Sequence, residues 1–200
     1  MSDAAITKHA DHFGRDTYVI RRKVFKLFGG AFHIYDQSMQ QVQFYAEQKA
    51  FKLKEAFTVF GDEAKTRPML KIQARSVLDF GATYDITDAQ TGEKVGAARR
   101  QAMASILRDK WMILDAQDRE IGVAEEDSML LALIRRFLSN LVPQSFTLNS
   151  TGGEPWGSFR QHFNPFVFRM ELNYERDTAL DRRLGIGVAV CMTAIEGRQG

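Results

Sequence analysis

Between Phe51 and Phe60 the chain alternates, with Phe51, Leu53, Phe57 and Val59 on one face and Lys52, Lys54 and Thr58 on the other. A period of two sends successive side chains to opposite faces of an extended segment, so this stretch predicts a strand with one face against a core. The pattern recurs at Tyr18–Phe28, Phe32–Asp36, Gln41–Glu47, Met69–Arg75, Phe80–Thr87, Lys94–Gln101, Ile106–Leu114, Glu120–Glu125, Ser145–Asn149, Trp156–His162 and Phe166–Leu172, which makes twelve predicted strands in all. Hairpins are the expected building unit. The segment Tyr84–Gly96 aligns with Trp111–Gly122 after one deletion, and each runs strand, polar turn, strand; fainter copies begin at His33 and Thr147. Asp88, Gly92, Asp115 and Asn149 are the expected turn formers.

The period changes near the C-terminus. From Leu184 to Ile195 there is no charged side chain and only one hydroxyl, that of Thr193. A bilayer crossing takes about 20 apolar residues, so this shorter run predicts a core helix. Its small residues, Gly185, Gly187, Ala189, Cys191 and Ala194, make a narrow helix that is apolar all round, the pattern of an enclosed element. A large antiparallel barrel leaves a lumen that something must fill. The predicted architecture is therefore mainly β: a closed antiparallel barrel of about twelve strands enclosing its own hydrophobic C-terminal helix. One further helix is predicted over Met129–Leu138, capped by Asp127 or Ser128 and ending near Asn140, before Pro143; Thr178–Asp181 reads as a capping box for the terminal helix. The polar, unpatterned residues 1–16 read as a flexible N-terminal tail, and residues 17–200 as a single domain.

Composition narrows the function classes. Four prolines and 44% hydrophobic residues fit a globular chain, and a net charge of +2 provides no basic stripe for duplex DNA, so nucleic acid is not an expected partner. The single cysteine, Cys191, lies inside the apolar run and excludes an intrachain disulfide. No secretory signal or lipidation motif is present, so the expected location is cytoplasmic, with no transmembrane span and any membrane contact peripheral.

Candidate chemistry is sparse. The histidines are His9, His12, His33 and His162, and the only close pair falls in the predicted tail without a second pair at zinc-ligand spacing; no metal site is expected. Trp156-Gly-Ser158-Phe lacks the second glycine of a nucleophile elbow, Gly61–Thr66 lacks the glycine before Lys65 that a phosphate loop needs, and Gly185-x-Gly187 has no third glycine. No catalytic residue and no cofactor are predicted. The carboxylates Asp115, Asp118, Glu120, Glu125, Glu126 and Asp127 read as solvated side chains around a hairpin. Basic residues recur in short sets: Arg21-Arg22-Lys23, Lys49 with Lys52 and Lys54, Arg99-Arg100, Arg135-Arg136 and Arg182-Arg183. Lys52 and Lys54 point the same way from a regular strand and would offer a phosphate group two donors, which makes them the candidate headgroup-binding residues.

The hairpin series, Tyr84-Asp-Ile-Thr-Asp followed by Gly92-Glu-Lys-Val-Gly96, Asn164-Pro-Phe166, Leu180-Asp-Arg-Arg-Leu184 and the closing Ala194-Ile-Glu-Gly-Arg-Gln199 together resemble the phospholipid scramblase-like and LURP-one-related proteins, which share the tubby C-terminal type of fold. The resemblance spans roughly Tyr18 to Gln199. It implies a twelve-stranded barrel around a hydrophobic C-terminal helix, in agreement with the periodicity. Tubby proteins imply phosphoinositide binding at membranes, and scramblases imply calcium-dependent lipid movement. This chain departs from scramblases in lacking a proline-rich N-terminal region and a cysteine-rich cluster, and its acidic loop, with Glu175, Asp177 and Asp181, is interrupted by Arg176 and has no central glycine. The expected function is that of a non-enzymatic protein binding anionic phospholipid or phosphoinositide headgroups at a membrane surface. The alternatives are a cytosolic scaffold or partner-binding module without lipid affinity and, more remotely, an enzyme or small-ligand carrier.

Overall fold

A computed structural model describes residues 12–23, 31–48, 56–76, 82–101, 110–127, 143–162, 164 and 166–196. Strands occupy every predicted run: β1 (Thr17–Lys23), β2 (Ala31–Asp36), β3 (Val42–Gln48), β4 (Ala56–Phe60), β5 (Pro68–Ala74), β6 (Thr83–Asp88), β7 (Lys94–Gln101), β8 (Lys110–Leu114), β9 (Glu120–Glu126), β10 (Ser145–Ser150), β11 (Pro155–His162) and β12 (Val167–Tyr174). A single helix follows among the described residues, α1 (Arg182–Glu196). Each strand pairs antiparallel with its neighbours in sequence, and β12 pairs with β1 to close the barrel, so no edge is left. The predicted helix at Met129–Leu138 lies outside the described residues.

Alternation along each strand sorts the wall into two faces. Tyr18 and Ile20 of β1, Phe32 and Ile34 of β2, Trp111 of β8, Phe146 of β10 and Phe159 of β11 point inward and are fully buried. Leu184, Ile186, Val188, Val190 and Met192 of α1 are buried against them in one core. The small residues of α1 are what let it fit. A Cβ at Gly185 would stand 2.2 Å from the Tyr174 hydroxyl, and one at Gly187 would stand 2.7 Å from Cδ1 of Ile86. An ordinary helix is about 10–12 Å across with its side chains, too wide to sit this close to the wall. No helix among the described residues is long and apolar enough to cross a membrane.

The tight turns gather at the rim where α1 enters. Asp88 Oδ1 accepts the N–H groups of Gln90 (2.8 Å) and Thr91 (3.1 Å), and Asp115 Oδ1 accepts those of Gln117 and Arg119 (both 2.9 Å). Asp36 and Asp62 act in the same way in their own turns. These short side chains satisfy backbone donors that the hairpin leaves without a ladder partner. Gly92 takes the left-handed φ of 76° expected of a turn glycine. Asn149, predicted as a turn former, instead belongs to the ladder of β10, and its neighbour Ser150 takes the turn role by accepting the Glu154 N–H at 2.9 Å. The helix cap also shifts. Asp181 is the N-cap itself, accepting the Arg183 N–H at 2.8 Å, while Thr178 Oγ1 accepts the Leu180 N–H at 3.2 Å.

The segment read as a tail is described from His12 onward. Phe13 is buried, with its ring centroid 4.8 Å from that of Phe44, and the Tyr18 hydroxyl donates to the His12 carbonyl at 2.8 Å. One aromatic anchor in a polar stretch docks these residues, and a composition-based view has no means of weighting it.

Candidate functional site

Because α1 fills the lumen, a ligand's access to the described residues is from the rim and the outer wall. At the rim the charges hold the helix in place. Arg183 reaches Asp181 (2.7 Å) and Asp88 (3.1 Å), tying the helix start to the β6–β7 turn. Burial pushes the Asp88 carboxyl up, but the N–H groups of Thr91 and Gln90 together with Arg183 outweigh it and hold Asp88 below the usual carboxylate range. Arg182 pairs with Asp16 at 3.0 Å and lies 4.1 Å from the centroid of the Tyr174 ring, whose hydroxyl donates to the Arg182 carbonyl. At the far end of the helix, Arg22 donates to the Ala194 carbonyl at 3.2 Å, a cation at a helix C-terminus. Arg22 therefore points inward and does not share the outer surface of Arg21.

On the wall around β5 to β9 the charges neutralise one another. Arg75 contacts both Asp85 and Asp118, and Lys94 reaches Asp118 at 2.7 Å and Asp85 at 3.3 Å. Lys94 and Arg75 hold the Asp118 carboxyl down at about 2. Asp118 and Asp115, which pairs with Arg119 at 2.7 Å, are thus built into the surface rather than merely solvated.

The opposite wall is different. Strand pairing sets His162, Arg169, Arg21, His33 and Tyr45 side by side across β11, β12, β1, β2 and β3. Neighbouring strands lie about 4.8 Å apart, so the row is about 19 Å long. Arg21 and Arg169 stand directly opposite each other on the outer face, and Arg160 is the cross-strand partner of Glu171. Like charges at opposed positions repel. Glu171, on the same face, takes His162 Nε2 at 2.9 Å and Asn173 Nδ2 at 2.7 Å as its hydrogen-bond partners rather than an arginine. Among the described residues no carboxylate lies within ion-pairing distance of Arg21, Arg160 or Arg169, and the Arg169 Nε is buried without an acceptor. Arg21 rests 5.7 Å from the Tyr35 ring centroid, and Tyr35 stacks against His33, which bonds to Glu63 at 2.9 Å. The row is half-buried, held in register by the strand ladders and rich in donors for an anion.

Lys52 and Lys54, the sequence-derived headgroup residues, lie outside the described residues. The outward direction of Arg21 and Arg169 was readable from their alternation with Tyr18, Ile20, Phe168 and Met170. Their juxtaposition was not, because it depends on which strand closes the barrel. Of the histidines, His33 and His162 pair with glutamates, while His12 bonds through Nδ1 to the Gln43 carbonyl at 2.8 Å and through Nε2 to Arg67.

Residues 42–192, about three-quarters of the chain, match the family model described as LURP-one-related. No curated protein is similar enough to the chain to count as a match.

Proposed function

Because the chain belongs to the LURP-one-related family, we propose that it is a non-enzymatic module that binds anionic phospholipid headgroups at a membrane surface, as the resemblance of its sequence to scramblase-like and tubby-like proteins implies. The observation that carries this reading is the opposed pair Arg21 and Arg169, which the closing strand pair sets across from each other on the outer wall with no carboxylate within ion-pairing distance among the described residues. A phosphate supplies the missing charge and accepts from both forks. Lys52 and Lys54 are proposed as a second basic contact.

Near an anionic leaflet each basic residue contributes about 1 kcal/mol, so Arg21, Arg160 and Arg169 together favour anionic over neutral vesicles by about 3 kcal/mol, or roughly a hundredfold. Screening shortens from about 10 Å at 0.1 M salt to about 3 Å at 1 M, so binding should weaken steeply with salt. The proposed location follows: peripheral, on a cytoplasmic surface.

Vesicle co-sedimentation tests this. Pelleting is expected with phosphatidylserine- or phosphoinositide-containing vesicles, to fall with salt, and to drop at least tenfold in the double variant Arg21→Gln with Arg169→Gln. Equal pelleting with neutral vesicles would overturn the proposal. A protein that ignores vesicles yet retains a specific protein partner would establish the scaffold alternative instead.

A further inference from the structure

Phe166 is the one large hydrophobic side chain exposed among the described residues, at 66%. It sits at the turn between β11 and β12, and the Asn164 side-chain oxygen accepts the N–H groups of Phe166 (2.9 Å) and Val167 (3.0 Å). That pair of bonds fixes the backbone on which the ring is displayed. Burying this ring in an apolar medium would recover the transfer free energy that its exposure to water forgoes.

The turn is also at the end of the barrel from which Arg169 and Arg21, without a carboxylate partner among the described residues, run back. Arg169 follows Phe166 by three residues on β12, and Arg21 faces it on β1. At about 3.4 Å per residue the backbone positions of Arg169 and its partner Arg21 lie about 10 Å behind that of Phe166 along the strand. A bilayer is about 40–45 Å thick with a hydrocarbon core of about 30 Å, which leaves a headgroup layer of several ångströms on each side. Interfacial elements bury their apolar side chains about 5–10 Å into that boundary. A ring at the acyl boundary therefore puts Arg21 and Arg169, with their long side chains, at the level of the phosphates.

We propose that the β11–β12 turn is the edge by which the barrel docks on an anionic bilayer, with Phe166 entering the interface and Arg21 and Arg169 holding lipid phosphates above it. This rests on the headgroup-binding reading and adds the orientation and the apolar anchor. Docking is on a lipid surface because a soluble phosphate ester would satisfy the arginines and leave Phe166 in water.

The test replaces Phe166 with tryptophan in the full chain. The native tryptophans are both buried, Trp111 at 0% and Trp156 at 5% exposure, so a change on vesicle addition reports the new side chain. With phosphatidylserine vesicles the Phe166→Trp emission is expected to shift to the blue and to be quenched by brominated acyl chains. Phe166→Ala is expected to keep the wild-type melting temperature while vesicle affinity falls about tenfold. If wild-type protein binds vesicles but the Phe166→Trp signal stays unshifted and Phe166→Ala binds equally well, the docking edge is wrong and headgroup binding stands. Tight binding of inositol phosphates in solution without vesicle binding would overturn this inference and the membrane-surface reading together, leaving only a soluble phosphate site. If the wild-type protein binds neither, both proposals fall.

Discussion

Removing α1 is expected to abolish folding of the barrel. Five large apolar side chains of the helix, Leu184, Ile186, Val188, Val190 and Met192, are each at most 2% exposed. Burying one such side chain contributes about 1.5–3 kcal/mol, so together they supply about 8–15 kcal/mol. The whole stability of a domain is about 5–15 kcal/mol, and the inward wall residues would lose the same contacts from their side. A chain ending at Asp181 should be insoluble, or should lack near-UV circular dichroism and a cooperative thermal transition. A point substitution asks the same question more gently: Ala189 is fully buried, so Ala189→Lys places an unpaired charge in the core at a cost of several kcal/mol, whereas Ala189→Gly costs about 1 kcal/mol. The reasoning fails if the truncated chain is soluble, monomeric and melts cooperatively near the full-length temperature, because the barrel would then hold its shape without a filled lumen.

Gly185→Ala drives a methyl group against the Tyr174 hydroxyl and should destabilise by about 1–3 kcal/mol in denaturant titrations, part of which Tyr174→Phe should restore in the double variant. Arg183→Ala leaves the buried Asp88 carboxylate with its two backbone donors alone and should cost about 1–3 kcal/mol, with Asp88→Asn recovering some of it; equal stability of all three proteins by calorimetry would count against the rim latch. The Asp118 carboxyl is depressed from 3.8 to about 2, so its contribution to stability is complete above about pH 4 and is lost as pH falls towards 2. Asp118→Asn should therefore melt below wild type at pH 6, with the gap closing at pH 2; a gap that is constant across that range would show that the network with Arg75 and Lys94 does not act through charge.

All twelve strands and the enclosed helix were legible in the chain itself. Periodicity is a local property, and whether a side chain faces in or out is settled by its neighbours two residues away, so Tyr18 and Ile20 or Phe168 and Met170 declare their face without reference to the rest of the fold. The hydrophobic run from Leu184 to Ile195 likewise states its own need for enclosure, and its small residues state that the enclosure is narrow. The repeat shared by Tyr84–Gly96 and Trp111–Gly122 correctly marked two hairpins, β6–β7 and β8–β9.

Tertiary structure decided what depends on distant parts of the chain meeting. Closure of β12 onto β1 brings Arg169 opposite Arg21 across most of the sequence, and entry of α1 at the turn rim brings Arg183 to Asp88. Neither follows from alternation, which specifies a face but not a neighbour. Local polar chemistry was similarly underdetermined: Asn149 and Ser150 are both competent turn residues, and the register of β10 against β11 assigned the role to Ser150. Sequence determined which residues build the wall and which element fills it, because burial is enforced residue by residue. Only the closed sheet decided which charges on that wall stand together, because register across strands is a property of the whole barrel.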